Sequence, residues 1–421
     1  VLHACLILIF PLRVCVKERD SMRFTLQGAR LVDATMDVTH GDLVVDGASI
    51  STVGASATRG PASDEKQAND QRIIAASDCI VLPGFIEVHS HGGGGFNLHT
   101  TDPDEVRAYA HWIPTTGVTT FLVTVVGTPN ALPVVQLQTA VTAIEQPGAG
   151  VSAEAVGVFM EGPYISVKKR GAHPPVWLRE PDEHETERIM DLTHGLLRLI
   201  TIAPELPGAA TMIRNLVAAG VTVAIGHTDA DYDQTRAAIQ LGATHATHCF
   251  NAMRPMLHRA PGPIPAIVQA PQVFGELIGD GIHVHPAMMD MLVRLLTPQR
   301  TVVVTDALAG AGLTEATFEF AGQEAHVICG AARLNDGTLT GSVLTLDKAL
   351  HNMLDMTHSS LSEASAMLSY NPARSVHLAE RKGLLRAGYD ADFVVYDQDL
   401  NLQATICRGE LAYASTAWRE R

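Results

Sequence analysis

The chain predicts an α/β fold, a TIM-like (β/α)8 barrel joined to a small β-sandwich domain built from both chain ends. Three observations lead there. Eight short apolar runs, each followed by a turn or a helical pattern and none joined to the next by a hairpin turn, read as parallel strands alternating with helices. Short alternating segments separated by Gly and Asp stand at both ends of the sequence and read as small antiparallel strands. Six of the eight apolar runs end in a residue able to bind a metal or move a proton. A barrel of this kind gathers its active site at the C-terminal ends of its strands, so residues scattered over more than half the chain would meet at one mouth.

Composition sets the frame. At 421 residues the chain exceeds one small core, and 46% hydrophobic with 18% charged residues marks a well-buried globular protein. The net charge of -15 argues against nucleic acid and against anionic membrane surfaces as partners, so an anionic substrate needs a local cationic site. The six cysteines, Cys5, Cys15, Cys79, Cys249, Cys329 and Cys407, form no C-x-x-C pair. Neither a disulfide framework nor a cysteine zinc knuckle is suggested, and a reducing cytoplasm fits.

Taken in order, Val1 to Val16 is apolar but interrupted by Pro11 and Arg13, with no basic leader and no small-residue cleavage site. It makes a poor signal peptide and is too short to span a bilayer, so residues 1–21 are expected to be a non-native or disordered extension. Residues 22–80 form the first part of the small β domain, with strands at Phe24-Thr25-Leu26, Ala29 to Asp33, Asp42 to Gly47 and Ser49 to Gly54, and a polar loop at 61–71. Residues 81–378 form the metal-dependent barrel, with strands at Phe85 to His89, Thr119 to Val126, Ala155 to Glu161, Leu197 to Ala203, Val221 to His227, Ala243 to His248, Glu276 to His283, and Thr301 to Asp306. Residues 379–421 return to the β domain through Gly383 to Leu385, Ala391 to Asp397 and Leu402 to Ile406.

The chemistry follows from the strand ends. His89 and His91 lie two apart at the end of a buried strand beside a Gly-rich loop, so both imidazoles face one way. Glu161, His227 and His248 close the third, fifth and sixth strands, and a Glu with two His leaves a coordination position for water, as a catalytic metal site requires. His89 and His91 can add a second metal with Glu161 bridging. Asp306 closes the eighth strand, where it can take a proton from an activated water and return it to a leaving nitrogen; the bland alternative is a helix N-cap. Cys249, beside His248, reads as a buried small residue pointing away from the pocket.

These residues, with Glu161-Gly162-Pro163-Tyr164, Arg170-Gly171-Ala172-His173, Ala203-Pro204-Glu205, His248-Cys249-Phe250-Asn251-Ala252-Met253, Asp280-Gly281-Ile282-His283, Thr305-Asp306-Ala307 and Leu339-Thr340-Gly341-Ser342, resemble the N-acetylglucosamine-6-phosphate deacetylase family of amidohydrolases, in order from about Phe24 to Ala412. The resemblance implies a metal held by Glu161, His227 and His248, with Asp306 as general base and acid. It implies that His173 helps polarise the acetamide carbonyl, and that Ala172, His173, Asn251, Ala252, Arg259, His283, Leu339, Thr340 and Gly341 contact the substrate, a phosphorylated N-acetyl amino sugar. The arginine matching Arg259 reaches the phosphate from a neighbouring subunit in that family, which implies a homodimer. The implied cofactor is a divalent metal, Zn or Fe, at one or two ions per subunit. Glu87 stands where the family commonly has Asp, and family members differ in whether they carry the His89 and His91 pair.

Two other readings compete. Another amidohydrolase, such as a cyclic-amide hydrolase or deaminase, would use the same barrel, but those sites commonly bridge their metals with a carboxylated lysine where this chain offers Glu161. A non-catalytic scaffold on the same barrel has no need for a complete ligand set plus Asp306. Nothing in the sequence separates the gluco from the galacto sugar, so an N-acetylgalactosamine-6-phosphate deacetylase stays open.

Overall fold

The computed structural model describes residues 23–55, 72–314, 316–328 and 330–420. The expected extension at 1–21 and the polar loop at 61–71 lie outside the described residues. Eight parallel strands follow one another in chain order: Phe85–Glu87, Val118–Val126, Glu154–Glu161, Leu197–Ile202, Thr222–Ile225, His245–Ala246, Phe274–Ile278 and Thr301–Val304. The circuit closes beyond the strand ends, where the Asp306 N–H donates to the His89 carbonyl at 2.9 Å and the His91 N–H to the Ala307 carbonyl at 2.7 Å. Val118–Val126 is buried along its whole length, as a β-branched strand covered on both faces must be.

Helices between the strands start where their sequences dictate. Asp102 caps Pro103–Trp112, and Asp231 with Gln234 forms a reciprocal capping box on Tyr232–Gln240. His285 caps Pro286–Leu296 by accepting the Ala287 N–H at 3.2 Å, so it lies beyond the pocket, as its sequence position suggests. Side chains such as Leu137, Met212, Leu216, Met289 and Leu350 fill the layer between strands and helices. A smaller cluster fills the barrel interior, with Phe159, Leu199 and Ile278 meeting Ala373 and Val376 at the end opposite the mouth. There Thr222, the first residue of the fifth strand, donates to the Ser375 carbonyl at 2.8 Å.

Both chain ends enter one further sheet. Ile80–Pro83 pairs antiparallel with Phe393–Tyr396 at its centre. Arg23–Val32, Asp37–Asp46 and Ser49–Ala55 extend it one way, Leu402–Cys407 and Glu410–Ala414 the other, and Arg72–Ala75 pairs with the first of these. The sheet encloses its own core of Phe24, Leu31, Leu43, Phe393, Ile406 and Trp418. A buried ion network ties it to the barrel. Lys382 contacts Asp392, Glu154 at 2.8 Å and Asp390 at 2.9 Å, and Glu154 is the first residue of the third barrel strand.

Two features depart from the sequence expectation. The strands stop short of the site residues: the fifth ends at Ile225 and the eighth at Val304, while the seventh is Phe274–Ile278, which puts Glu276 inside it and His283 on the following turn. The reason is local, since His227, His248 and Asp306 have φ of 45°, 26° and 48°, left-handed conformations that no ladder accommodates. The second is a three-stranded antiparallel flap, Thr317–Phe320, Gln323–Ile328 and Ala331–Leu334, between the eighth strand and the helix Leu346–Thr357. Its first turn is Ala321-Gly322, with φ of 51° and 73°, the paired positive values of a tight two-residue hairpin.

Candidate active site

Glu161, the last residue of the third strand, is the hub of a buried cluster at the barrel mouth. Its Oε1 lies 3.0 Å from His227 Nε2, 3.1 Å from His248 Nε2 and 3.4 Å from His89 Nε2. Its Oε2 lies 3.2 Å from both His91 Nε2 and His173 Nε2. Asp306 Oδ1 stands 3.1 Å from His91 Nε2 and 3.4 Å from His89 Nε2. All the metal-ligand candidates and Asp306 thus come together, and Glu161 faces both the His227–His248 side and the His89–His91 side. Cys249 does not join them; it lies in the core layer outside the strands, where burial pushes its thiol up to about 12.

The far nitrogens of these rings fix what the near ones can do. His227 Nδ1 lies 2.8 Å from the Lys169 carbonyl, an acceptor only, so it carries the proton and leaves Nε2 as a bare lone pair. His89 Nδ1 donates in the same way to Glu276 Oε2 at 2.8 Å. Lone pairs on His227 and His89 therefore face carboxylate oxygens of Glu161, and the Nε2 atoms of His227 and His248 approach to 3.0 Å. His89 Nε2 is buried without a hydrogen-bond partner. Acceptors converging on acceptors need a cation between them, and this donor set fits a divalent metal at either side of Glu161.

Electrostatics agree. Burial opposes charge on Glu161, but positive charge at His89 and His227, a second proton on the ring or a metal ion in its place, outweighs it and holds the carboxyl well below its ordinary range. Burial likewise opposes ionisation of Asp306, and His89 and His91 again prevail, so its carboxylate stays charged. Burial favours neutral His91, yet Asp306 and Glu161 raise it to about 9. The negative charge that would hold a proton there is equally suited to a metal ion. His173 goes the other way: burial lowers it and keeps the ring neutral.

Three residues to which the sequence assigned no role support the cluster. Glu276 is wholly buried and accepts from His89 Nδ1, from His245 Nε2 at 2.9 Å and from the His248 N–H at 2.9 Å. Its signal was available, because a carboxylate inside a buried apolar strand demands partners. Glu205 accepts from the Thr228 hydroxyl at 2.5 Å and the Asp229 N–H at 2.6 Å, which fixes the turn that carries His227. Phe320, on the flap, packs its ring edge-on against His91 and His173. Glu87, the departure from Asp, accepts the N–H groups of His89 at 3.1 Å and Thr305 at 3.3 Å, and burial pushes it up to about 8.

A cavity of about 170 Å³ opens over the cluster, and Ala172, His173, Asn251, Ala252, His283, Leu339, Thr340 and Gly341 all line it. His283 is held by its Nδ1 hydrogen bond to Asp280 at 2.6 Å; burial lowers its pKa, but that bond and the charges of Asp280 and Asp306 together raise it. Arg259 is not brought there. It sits in an exposed loop, and among the described residues no Lys or Arg lines the cavity.

Comparison with known proteins places this geometry. The amidohydrolase family model matches residues 80–412. The N-acetylglucosamine-6-phosphate deacetylase of Bacillus subtilis is 33% identical over 382 residues, 90% of this chain and 94% of the relative. The N-acetylgalactosamine-6-phosphate deacetylase of Escherichia coli O157:H7 is 34% identical over 333 residues, 79% of this chain and 88% of the relative. A solved structure of a mutant N-acetyl-D-glucosamine-6-phosphate deacetylase from Mycobacterium smegmatis, in complex with N-acetyl-D-glucosamine 6-phosphate, superposes with a TM-score of 0.85 at 34% identity, covering 93% of this chain and 100% of that one. On the family match and on relatives of this identity across nearly their whole length, the chain belongs to the amidohydrolase family, in the group formed by these N-acetylhexosamine-6-phosphate deacetylases.

Proposed function

We propose that the protein hydrolyses the amide of N-acetyl-D-glucosamine 6-phosphate, yielding D-glucosamine 6-phosphate and acetate, in amino-sugar catabolism and recycling. The observation that carries this is the convergence of Glu161, five imidazoles and Asp306 beneath one cavity. Glu161, His227 and His248 would hold one divalent ion, Zn or Fe, and His89 and His91 a second with Glu161 between them. A bound ion supplies Lewis-acid polarisation of the carbonyl and lowers the pKa of water.

The protein's own groups do the rest. Asp306, kept ionised by its imidazole neighbours, takes the proton of the attacking water and delivers it to the departing nitrogen, so the sugar leaves as a neutral amine. Neutral His173 offers an N–H to the carbonyl oxygen as negative charge grows there. Ala172, Asn251, Ala252, His283 and the Leu339-Thr340-Gly341 turn position the sugar.

Among the described residues no Lys or Arg lines the cavity to meet a phosphate, and exposed Arg259 can supply a permanent charge to a second copy of the chain, making a homodimer. Met256 and Leu257, 42% and 58% exposed on the same loop, suit such an interface. This reading keeps the boundaries between barrel and β domain at 80/81 and 378/379, with the β-domain strand Ile80–Pro83 running across the first. The buried thiols of Cys249 and Cys407 fit a reducing cytoplasm. Among the described residues no helix is long and apolar enough to cross a membrane.

The test is acetate release from N-acetylglucosamine 6-phosphate by metal-loaded protein, with the unphosphorylated sugar and the galacto epimer in parallel. Release that depends on the phosphate supports the reading. Preference for the galacto epimer would move the assignment to the Escherichia coli relative's substrate, and no release from either would overturn it.

A further inference from the structure

Phe320 stands between two cavities. Its ring centroid lies 5.2 Å from that of His91 and 6.0 Å from that of His173, edge-on to both. It lines the cavity over the metal-ligand cluster and also a second cavity of about 410 Å³, which likewise reaches His91. The ring is not carried on a free loop. It ends the first flap strand, and Gln323, its cross-strand partner, donates to the Ala172 carbonyl at 2.8 Å, anchoring the flap to the loop that carries His173.

Given the deacetylase reading, on which this inference rests, the orientation of the amide follows. The sugar extends towards Asn251 and Ala252, which lead into the exposed loop bearing Arg259. The acyl carbon must reach Asp306 and Glu161. Its alkyl substituent points away from the nitrogen and hence from the sugar, towards the wall made by His91, His173 and Phe320. We propose that Phe320 sets the acyl-chain length: the acetyl methyl stops against its ring, and the ring closes the larger cavity behind it to longer acyl groups. That cavity includes Val126 and Trp177, apolar surface against which two or three further methylenes can lie.

The experiment compares kcat/KM for N-acetyl-, N-propionyl- and N-butyrylglucosamine 6-phosphate, followed by release of the free amine, in wild-type protein and in Phe320→Ala and Phe320→Leu, with folding checked by circular dichroism. A closed pocket rejects each surplus methylene by about 10- to 200-fold, so the wild type should prefer acetyl over butyryl by at least about 100-fold. Phe320→Ala should narrow that ratio by at least about 10-fold, with Phe320→Leu between the two. Filling the second cavity from its far wall, by Gln136→Trp in the Phe320→Ala background, should restore the preference for acetyl. An unchanged ratio in folded variants overturns the proposal. So does loss of acetyl turnover in both variants, or failure of both to fold, since either makes the ring a structural prop. A wild type that accepts butyryl as readily as acetyl also overturns it. No amine release from any of the three by the wild type overturns the deacetylase reading itself.

Discussion

Asp306 lies within 3.4 Å of two imidazoles and carries its charge because they outweigh the cost of burial. Its replacement by Asn preserves shape and removes the proton carrier. General acid–base groups contribute about 10²–10⁴ in rate, so Asp306→Asn should lower kcat by at least about 10²-fold while KM stays within a few-fold. Steady-state kinetics on both proteins check this. Glu276 acts at one remove, because as a carboxylate it can accept from His89, His245 and the His248 N–H at once. A glutamine has one acceptor oxygen and an NH2 that clashes with a ring N–H, so one histidine must change tautomer. Because the amide oxygen can keep His89 while His245 makes that change, the test is Glu276→Leu, which removes both acceptor oxygens and should weaken metal retention at the His89–His91 side by about 10- to 100-fold. Metal analysis after a graded chelator challenge reads this directly, and retention equal to wild type would refute it. Glu276 was visible in the sequence only as an apolar run's charged member. Which nitrogens it touches depends on a strand 187 residues away from His89, and no local pattern encodes that pairing.

The elements show how the site is set. Glu161 ends its strand, whereas His227, His248 and Asp306 sit just past theirs, where the backbone leaves the ladder and a left-handed φ turns their side chains inward over the mouth. Such conformations cost about 1–3 kcal/mol each and persist only where neighbours enforce them. At the opposite end, the third strand starts in the ion network. Burial opposes charge on Glu154, but Lys382 and Arg381 outweigh it and hold it at about 2 against an ordinary 4.5. A depressed carboxyl stabilises the fold above its ordinary pKa and loses that stabilisation as pH falls towards its folded one. Lys382 is raised above 10.5 by Asp392 and Glu154 despite burial, so its contribution is complete below 10.5 and is lost as pH rises past its folded pKa. Lys382→Met leaves buried Asp392 without its charged partner, while Arg381 still pairs with Glu154 and Asp390, and should cost about 3 kcal/mol at neutral pH. The cost should shrink as pH falls from 4.5 towards 2, where wild type loses the same stabilisation. Denaturant melts of both proteins at several pH values test it; a pH-independent difference would count against the network.

At the scale of the whole molecule, no Lys or Arg among the described residues lines the cavity while Arg259 is exposed, which favours the reading in which a second copy completes the site. Arg259→Ala and Asp306→Asn homodimers should each be impaired. Subunit exchange between them places an intact Asp306 opposite an intact Arg259 in half the sites of every mixed dimer. An equal mixture should regain about a quarter of wild-type activity if pairing is random. Activity no higher than the average of the two separate variants would show that Arg259 acts within its own chain or not at all.

What the sequence determined by itself was the barrel, the β domain from both chain ends, and the ring of His, Glu and Asp at the barrel mouth. Strand periodicity is local, and the rule that barrel sites form at strand C-termini turns a one-dimensional list into a place. The strand ends already suggested that Glu161 stands between both histidine groups; the tertiary structure alone decided that Glu276 bridges two rings beneath them and that Phe320 packs against His91 and His173. The flap escaped the sequence reading because its strands are short and half-exposed, so their alternation runs over too few residues to stand out. These features depend on contacts between residues far apart in the chain, whose distances are set by how the layers pack and not by any segment's own preference.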